Sequence, residues 1–167
     1  MSENLDLINM PYACGKSTIM LNGHQYIIVS GGWDGRNKLS SVAYLDLEDP
    51  ASGWQKDFPD MPEVRWAHAQ RTVEVNGHQY IIVSGGVDGN KNILSSVIYL
   101  DVNNLDAGWQ SFPDMQEGRY DHDMYLTFHN NSKIYIMLAD GIDDNNEILS
   151  STIYLDVDNP TAGWKPS

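Results

Sequence analysis

An arginine, the aromatic residue after it and a histidine two positions further on form the most chemically capable cluster in this sequence, and the cluster occurs twice. Its members are Arg65, Trp66 and His68, and then Arg119, Tyr120 and His122. A guanidinium group binds carboxylates at two points and stacks on aromatic rings. The pattern therefore indicates capture of a carboxylate. An ion pair with one of the chain's many aspartates is the structural alternative.

A metal site is a second interpretation of the histidines. Cys14 precedes His68 by the interval that separates His68 from His122. Cysteine and histidine are typical zinc ligands, but a fourth ligand is lacking. The acidic loop 140–147 also does not have the ligand spacing of a known calcium loop. We therefore expect hydrogen-bonded histidines at strand starts, and no metal or other cofactor.

The elements that carry these residues are indicated by a repeated stretch. Asn76–Gly86 repeats Asn22–Gly32 residue for residue, and a degraded third copy covers Asn131–Gly141. Asn-Gly favours a type I′ hairpin turn. The apolar run after it indicates a strand that is covered on both faces. The glycine pair that ends the run indicates a sharp turn or a close approach of another backbone.

Aromatic residues extend the repeat beyond the hairpins. Evenly spaced residues follow each glycine pair: Tyr44, Tyr99 and Tyr154, and then Trp54, Trp109 and Trp164. A residue that recurs in every unit serves what every unit needs, so we expect these side chains to pack units together and not to bind a ligand. Helical periodicity is absent, and the pattern predicts three units of four strands that must stack to bury their faces.

These residues resemble the kelch-repeat family. The motif is an apolar run ending in a glycine pair, then a spaced tyrosine and a spaced tryptophan. It is met at Gly31-Gly32, Tyr44 and Trp54, at Gly85-Gly86, Tyr99 and Trp109, and, with Asp140-Gly141 as the pair, at Tyr154 and Trp164. The family's Met-Pro, arginine and histidine feature is similar to Met61-Pro62, Arg65 and His68, and in part to Met115, Arg119 and His122.

The resemblance implies an all-β, kelch-type β-propeller with three four-stranded blades per chain. The blades would be residues 12–62, 63–117 and 118–167, the last with an incomplete fourth strand. Residues 1–11 would be an N-terminal segment able to complement a strand. Propellers usually need about four to eight blades, so we expect a homodimer of six blades. A fragment of a longer propeller, natural or engineered, is the alternative.

The composition of the chain excludes some classes of binding partner. The formal net charge is −13 and the sequence pI is about 4.4, which disfavours nucleic acid and anionic membranes because both attract clustered Lys and Arg. A single cysteine allows no internal disulfide. No signal-peptide pattern and no long apolar run is present. The expected location is the cytoplasm.

The resulting hypothesis is a protein–protein interaction module that holds an acidic or polar peptide segment on the loop face of a propeller. The candidate binding residues are Trp33, Arg36, Arg65, Trp66, His68, Lys91, Arg119, Tyr120 and His122. No catalytic arrangement stands out. A sugar-processing isomerase or lyase, using Arg, His and Glu on the same face, is the alternative, and a half-propeller with no ligand of its own is a third.

Overall fold

A computed structural model describes residues 10–130 and 132–167 of the protein. Most of residues 1–11, the expected strand complement, therefore lies outside the described residues. Within the described ranges every regular element is a β-strand or a short 3-10 helix, and no helix has the length and apolarity needed to cross a membrane. The strands form three antiparallel sheets in chain order.

Each sheet contains the strands of one sequence unit, placed side by side in the order of the chain. Sheet 1 contains β1 (Gly15–Leu21), β2 (His24–Trp33) and β3 (Lys38–Asp46). Sheet 2 contains β4 (Ala69–Val75), β5 (His78–Ser84), β6 (Val97–Asp101) and β7 (Gln110–Phe112). Sheet 3 contains β8 (Asp123–His129), β9 (Lys133–Ala139), β10 (Thr152–Asp156) and β11 (Lys165–Pro166).

The hairpin turns confirm the Asn-Gly prediction. Asn22 and Gly23 have φ values of 52° and 80°, and Asn76 and Gly77 have values of 51° and 78°. Positive φ at both central residues is what a type I′ turn requires, and its twist matches that of the strands it joins. These turns fix the register of β1 on β2 and of β4 on β5.

Sheet 1 has three strands where the sequence predicts four. Only one bridge, between Tyr44 and Gln55, joins the expected fourth segment to β3. The reason is an extra residue: four residues separate Trp54 from Pro59, whereas three separate Trp109 from Pro113. An odd insertion turns the following side chains to the opposite face. Phe58 is nevertheless buried in the core, so the segment leaves the sheet to place it there.

Two apolar cores separate the three sheets. The first interface, between sheets 1 and 2, buries Ile19, Ile28, Val42, Phe58, Met61, Ile81, Val83, Ile98, Leu100 and Val102. The second interface, between sheets 2 and 3, buries Ala69, Val73, Ile82, Val97, Met115, Met124, Ile136, Leu138, Ile153, Leu155 and Trp164. Each fully buried aliphatic side chain contributes about 1.5–3 kcal/mol. Sheet 2 is thus covered on both faces, as its uninterrupted apolar runs predict.

The tryptophans connect neighbouring units. The indole N–H of Trp109 donates to the carbonyl oxygen of Pro59 at 2.8 Å, and that of Trp164 donates to Pro113 at 2.7 Å. Both side chains also pack in the cores. The predicted packing between units is therefore seen for Trp109 and Trp164, whereas Trp54 is half-buried and lies in neither core.

Candidate functional site

Two sets of loops come together at one end of the sheets, which we call the loop face. One set follows β2, β5 and β9, and the other leads into β1, β4 and β8. Isolated antiparallel bridges join the sets, between Tyr12 and Trp33, Trp66 and Val87, and Tyr120 and Ile142. The loop face comprises residues 10–14, 33–38, 59–68, 85–94, 113–122 and 140–149.

An aspartate shapes each loop that follows a glycine pair. Asp34 Oδ1 accepts hydrogen bonds from the backbone N–H groups of Arg36 at 2.8 Å and Asn37 at 2.7 Å. Asp88 and Asp143 occupy the same place in the next two loops and accept in the same way. The backbone donors lower the pKa of Asp34, because they stabilise its charged form. The recurrence of aspartate two residues after each glycine pair would have been a readable sequence signal.

The arginines lie inside the protein, and each is only 1% exposed. Arg65 Nη1 donates to the carbonyl oxygen of Gly85 at 2.9 Å and to that of Ser96 at 3.1 Å. Its Nη2 donates to Ser96 Oγ at 2.7 Å and to Glu63 at 2.8 Å. Burial lowers the pKa of Arg65, although the carboxylate of Glu63 keeps it paired.

Arg119 repeats this arrangement one unit later. Its guanidinium group donates to the backbone oxygens of Asp140 at 3.1 Å and Ser151 at 3.3 Å, and Glu117 lies 3.5 Å away. Both arginines therefore fasten loops within the protein. The sequence hypothesis that they capture a partner's carboxylate is not what this geometry favours, because each guanidinium group is buried and its Nη atoms already donate to groups of the protein. The Nε atom of each is buried as well and has no hydrogen-bond partner among the described residues.

The histidines are also buried. His68 Nε2 lies 2.9 Å from Ser30 Oγ across the first interface, and His122 Nε2 lies 2.7 Å from Ser84 Oγ across the second. Burial lowers the pKa of each to about 3, so both are neutral at pH 7. Both histidines therefore lie away from the exposed part of the loop face. Each directly precedes a strand and is hydrogen-bonded to a serine of the neighbouring unit.

Cys14 is buried as well, and burial raises the pKa of its thiol. Among the described residues no three His, Cys, Asp or Glu side chains come together as metal ligands.

The accessible part of the loop face is aromatic. Tyr12 is 70% exposed and Trp33 is 45% exposed, and their ring centroids are 6.0 Å apart. Trp66 is half-buried, and the ammonium group of Lys38 lies 5.2 Å from its ring centroid. Tyr120 is also half-buried. Tyr12 occupies in the first unit the position of Trp66 and Tyr120, but neither Tyr12 nor Lys38 is among the binding residues predicted from the sequence.

The exposed charges of the loop face are mainly carboxylates. Arg36 and Lys91 are its exposed cations. Its exposed acidic residues are Asp34, Asp60, Asp114, Glu117, Asp121, Asp140, Asp144 and Glu147. The surface that remains after burial of Arg65 and Arg119 thus combines aromatic rings with negative charge.

An apolar cleft of about 440 Å³ opens elsewhere, between sheets 2 and 3. Tyr80, Tyr99, Phe112, Val157 and Pro160 line part of it. The cleft has few polar groups with which to orient a ligand. It does not involve the predicted binding residues, and we place the candidate site on the loop face.

Comparison with known proteins assigns no family. No protein-family model matches the sequence, and a search of curated proteins finds no significant match. The residues of the loop face are therefore the basis for inferring a function.

Proposed function

We propose that the three sheets are consecutive blades of a kelch-type β-propeller, and that its loop face binds a segment of another protein. Three observations support the propeller: each sheet has its strands in chain order, neighbouring sheets pack face to face, and β1, β4 and β8 lie next to one another. Radial repetition of antiparallel sheets is the architecture of propellers. The glycine pair and the spaced aromatics agree with the kelch resemblance.

The proposed ligand is a basic segment that carries lysine or arginine. The observation that supports this most directly is Lys38, whose ammonium group lies over the Trp66 ring at 5.2 Å. A cation within about 6 Å of an indole centroid is attracted to its π face. By analogy with Lys38, a partner's ammonium group would be held on Tyr12 or Trp33, and the exposed carboxylate of Asp34, next to Trp33 in sequence, would add charge attraction.

This proposal changes the chemistry expected from the sequence, which indicated an acidic or polar segment. That expectation relied on the forks of Arg65 and Arg119, which are hydrogen-bonded inside the protein. Their burial also weakens the case for a sugar-processing enzyme, since Arg65, Arg119, His68 and His122 would have supplied its reactive groups.

Paired peptides test the proposal. A fluorescent peptide with alternating aromatic and Lys/Arg residues is titrated with the protein, beside a matched peptide with Glu at the basic positions. We expect the basic peptide to bind and the acidic one not to bind. Trp33→Ala should weaken binding by about 1–2 kcal/mol, roughly tenfold.

Phe128→Ala is the matched control, because Phe128 is an exposed aromatic residue (70%) at the end of β8 that is further from the loop face. It should leave the affinity unchanged. Equal binding of both peptides, or equal losses in the two variants, would contradict the proposal. No binding to either peptide would favour a protein without a ligand on this face.

A further inference from the structure

The two interfaces share a chain of backbone hydrogen bonds near β1, β4 and β8. The N–H of Ala67 donates to the carbonyl oxygen of Ala13 at 2.8 Å, and the N–H of Asp121 donates to that of Ala67 at 2.8 Å. All three residues have φ between 52° and 55°. Each unit thus receives a hydrogen bond from the unit after it, at the same position.

A second backbone bond also occurs once in each interface. The N–H of Gly32 donates to the carbonyl oxygen of Arg65 at 2.8 Å, and the N–H of Gly86 donates to that of Arg119 at 2.9 Å. These bonds tie the end of the glycine pair in one unit to the loop that leads into the next unit. The interfaces are therefore two copies of one binding geometry.

The first and third units each carry one donor and one acceptor that correspond to the groups of these two hydrogen bonds. Unit 1 offers the N–H of Ala13 and the carbonyl oxygen of Pro11, and unit 3 offers the carbonyl oxygen of Asp121 and the N–H of Gly141. In the part of the chain that the structure describes, none of the four makes the backbone hydrogen bond that its counterparts make. Each donor on one end matches an acceptor on the other, at equivalent places.

A side-chain pair supports the same match. Ser30 meets His68 in the first interface, and Ser84 meets His122 in the second. The corresponding residue of unit 3 is Ala139, which has no hydroxyl group, and that of unit 1 is Cys14, which has no imidazole. Both partners of the pair are thus replaced together by small, weakly polar residues. A lone serine or histidine would be left unpaired in such an interface, at a cost in free energy.

The outward faces of sheets 1 and 3 are apolar at the positions that correspond to buried interface positions of sheet 2. The outward face of sheet 1 carries Ile27, Val29, Ala43 and Leu45, which correspond to the buried Ile81, Val83, Ile98 and Leu100 of sheet 2. Val29 and Leu45 are already only 5% and 4% exposed within the chain, so the half-buried Ile27 and Ala43 are the part of this face still open to a partner. The outward face of sheet 3 carries Tyr135, Met137 and Tyr154, which correspond to Tyr80, Ile82 and Tyr99. Among the described residues no other sheet packs on either face.

We propose that these faces bind a second copy of the chain, sheet 3 of each copy packing on sheet 1 of the other. Two such contacts form together under a two-fold axis and close a ring of six sheets. The contact continues the geometry of the two interfaces within the chain, which is why a second copy fits better than an unrelated protein. The inference does not depend on peptide binding at the loop face.

Asp140 and Pro11 depart from this match. Asp140 occupies the place of Gly31 and Gly85, where an added Cβ atom would lie 2.3 Å from the carbonyl oxygen of Arg65 or Arg119. The partner's Pro11 replaces that arginine and has no guanidinium group to fix its position. The partner backbone must therefore lie a little further from Asp140 than in the other interfaces, which makes this contact the weakest of the three.

Solution mass over a concentration series, by light scattering after size exclusion, is the first test. We expect a species of twice the 18.8 kDa chain mass, and a monomer for Met137→Glu, because a carboxylate in the contact has no partner. Ile148→Glu is the control: Ile148 is 84% exposed on a loop, so the dimer should persist. Circular dichroism checks that both variants fold. A monomeric wild type, open-ended oligomers, or a dimeric Met137→Glu overturns the proposal.

Swaps at the matched positions give a test that does not depend on disrupting the contact. Asp140→Gly should tighten the dimer about tenfold, because it removes the close Cβ atom. Cys14→His should weaken it by a similar factor, and addition of Ala139→Ser should restore it by supplying the hydroxyl partner. A dissociation constant unaffected by Asp140→Gly, or additive effects of the other two changes, would show that these residues do not meet.

Discussion

His68 and His122 are buried polar groups that join sheets while remaining neutral. Each has one ring nitrogen close to a serine hydroxyl, and the Nδ1 atom of each has no hydrogen-bond partner in the described structure. Burial is the largest cause of the lowered pKa, and the charge of the neighbouring arginine adds to it. Protonation of either ring would place a second cation beside a guanidinium group inside the protein.

This arrangement predicts a loss of stability in acid. The pKa of His122 is about 3 when folded, compared with about 6.5 for an unperturbed histidine. The unfolded chain therefore binds the proton first, so the contribution is present above pH 6.5 and is lost as the pH falls toward 3. The slope is up to about 1.4 kcal/mol per pH unit for each histidine.

Urea unfolding of His122→Gln between pH 7.5 and 5 measures this effect. The glutamine amide can still bond to Ser84 but does not titrate, so we expect a shallower pH dependence than in the wild type. His24→Gln is the control. The hydrogen bond to Asp46 raises the pKa of His24, which acts in the opposite direction, so removing it should not flatten the profile. Identical slopes for His122→Gln and wild type would argue against a buried neutral histidine.

At the scale of the elements, the glycine pairs position one unit on the next. Gly31 and Gly85 have φ of 58° and 60°, and the backbone of the following unit passes directly over them. The loop that makes this approach is held by the buried arginine from its other side. The same arrangement of a glycine, a buried arginine and a closely passing backbone thus occurs in both interfaces, and we call it the glycine contact.

The glycine contact predicts that adding a methyl group lowers the free energy of unfolding by different amounts at different glycines. In Gly31→Ala the Cβ atom would lie 2.3 Å from the carbonyl oxygen of Arg65, whereas at Gly35, with φ of 96°, nothing lies within 4 Å. Gly31→Ala should cost about 3 kcal/mol or more, from strain and displaced backbone. Gly35→Ala should cost about 1 kcal/mol, from strain alone. The free energies of unfolding in urea give the comparison, and equal losses would mean that the close approach is not rigid.

At the scale of the whole molecule, no other sheet of the described residues packs on the outer faces of sheets 1 and 3. If a second copy covers them, folding and association are linked, because a ligand that binds only the folded state raises its stability. The melting temperature should therefore rise with protein concentration over the range in which the dimer forms. Met137→Glu should abolish this dependence. A melting temperature independent of concentration in the wild type would indicate that the faces remain uncovered.

The sequence by itself determined the strands, the type I′ turns and the all-β architecture, because these follow from local φ preferences and from apolar periodicity. It also identified Trp109 and Trp164 as packing residues, since recurrence at fixed spacing implies a structural need. Its prediction of a fourth strand in sheet 1 was wrong, because the segment after Trp54 makes only the single bridge between Tyr44 and Gln55. There, placing Phe58 in the core decided against continued pairing with β3.

Only the tertiary structure decided which polar residues are available for binding. Arg65, Arg119, His68 and His122 have the residue types of a binding site, but all four are buried. Hydrogen bonds within one unit hold the arginines, and hydrogen bonds between units hold the histidines. Tyr12, Trp33 and Lys38 carry weaker sequence signals, yet they remain at the accessible surface. Residue type and spacing record what a side chain can do, whereas its availability depends on solvent exposure and on which donors and acceptors the fold has already paired.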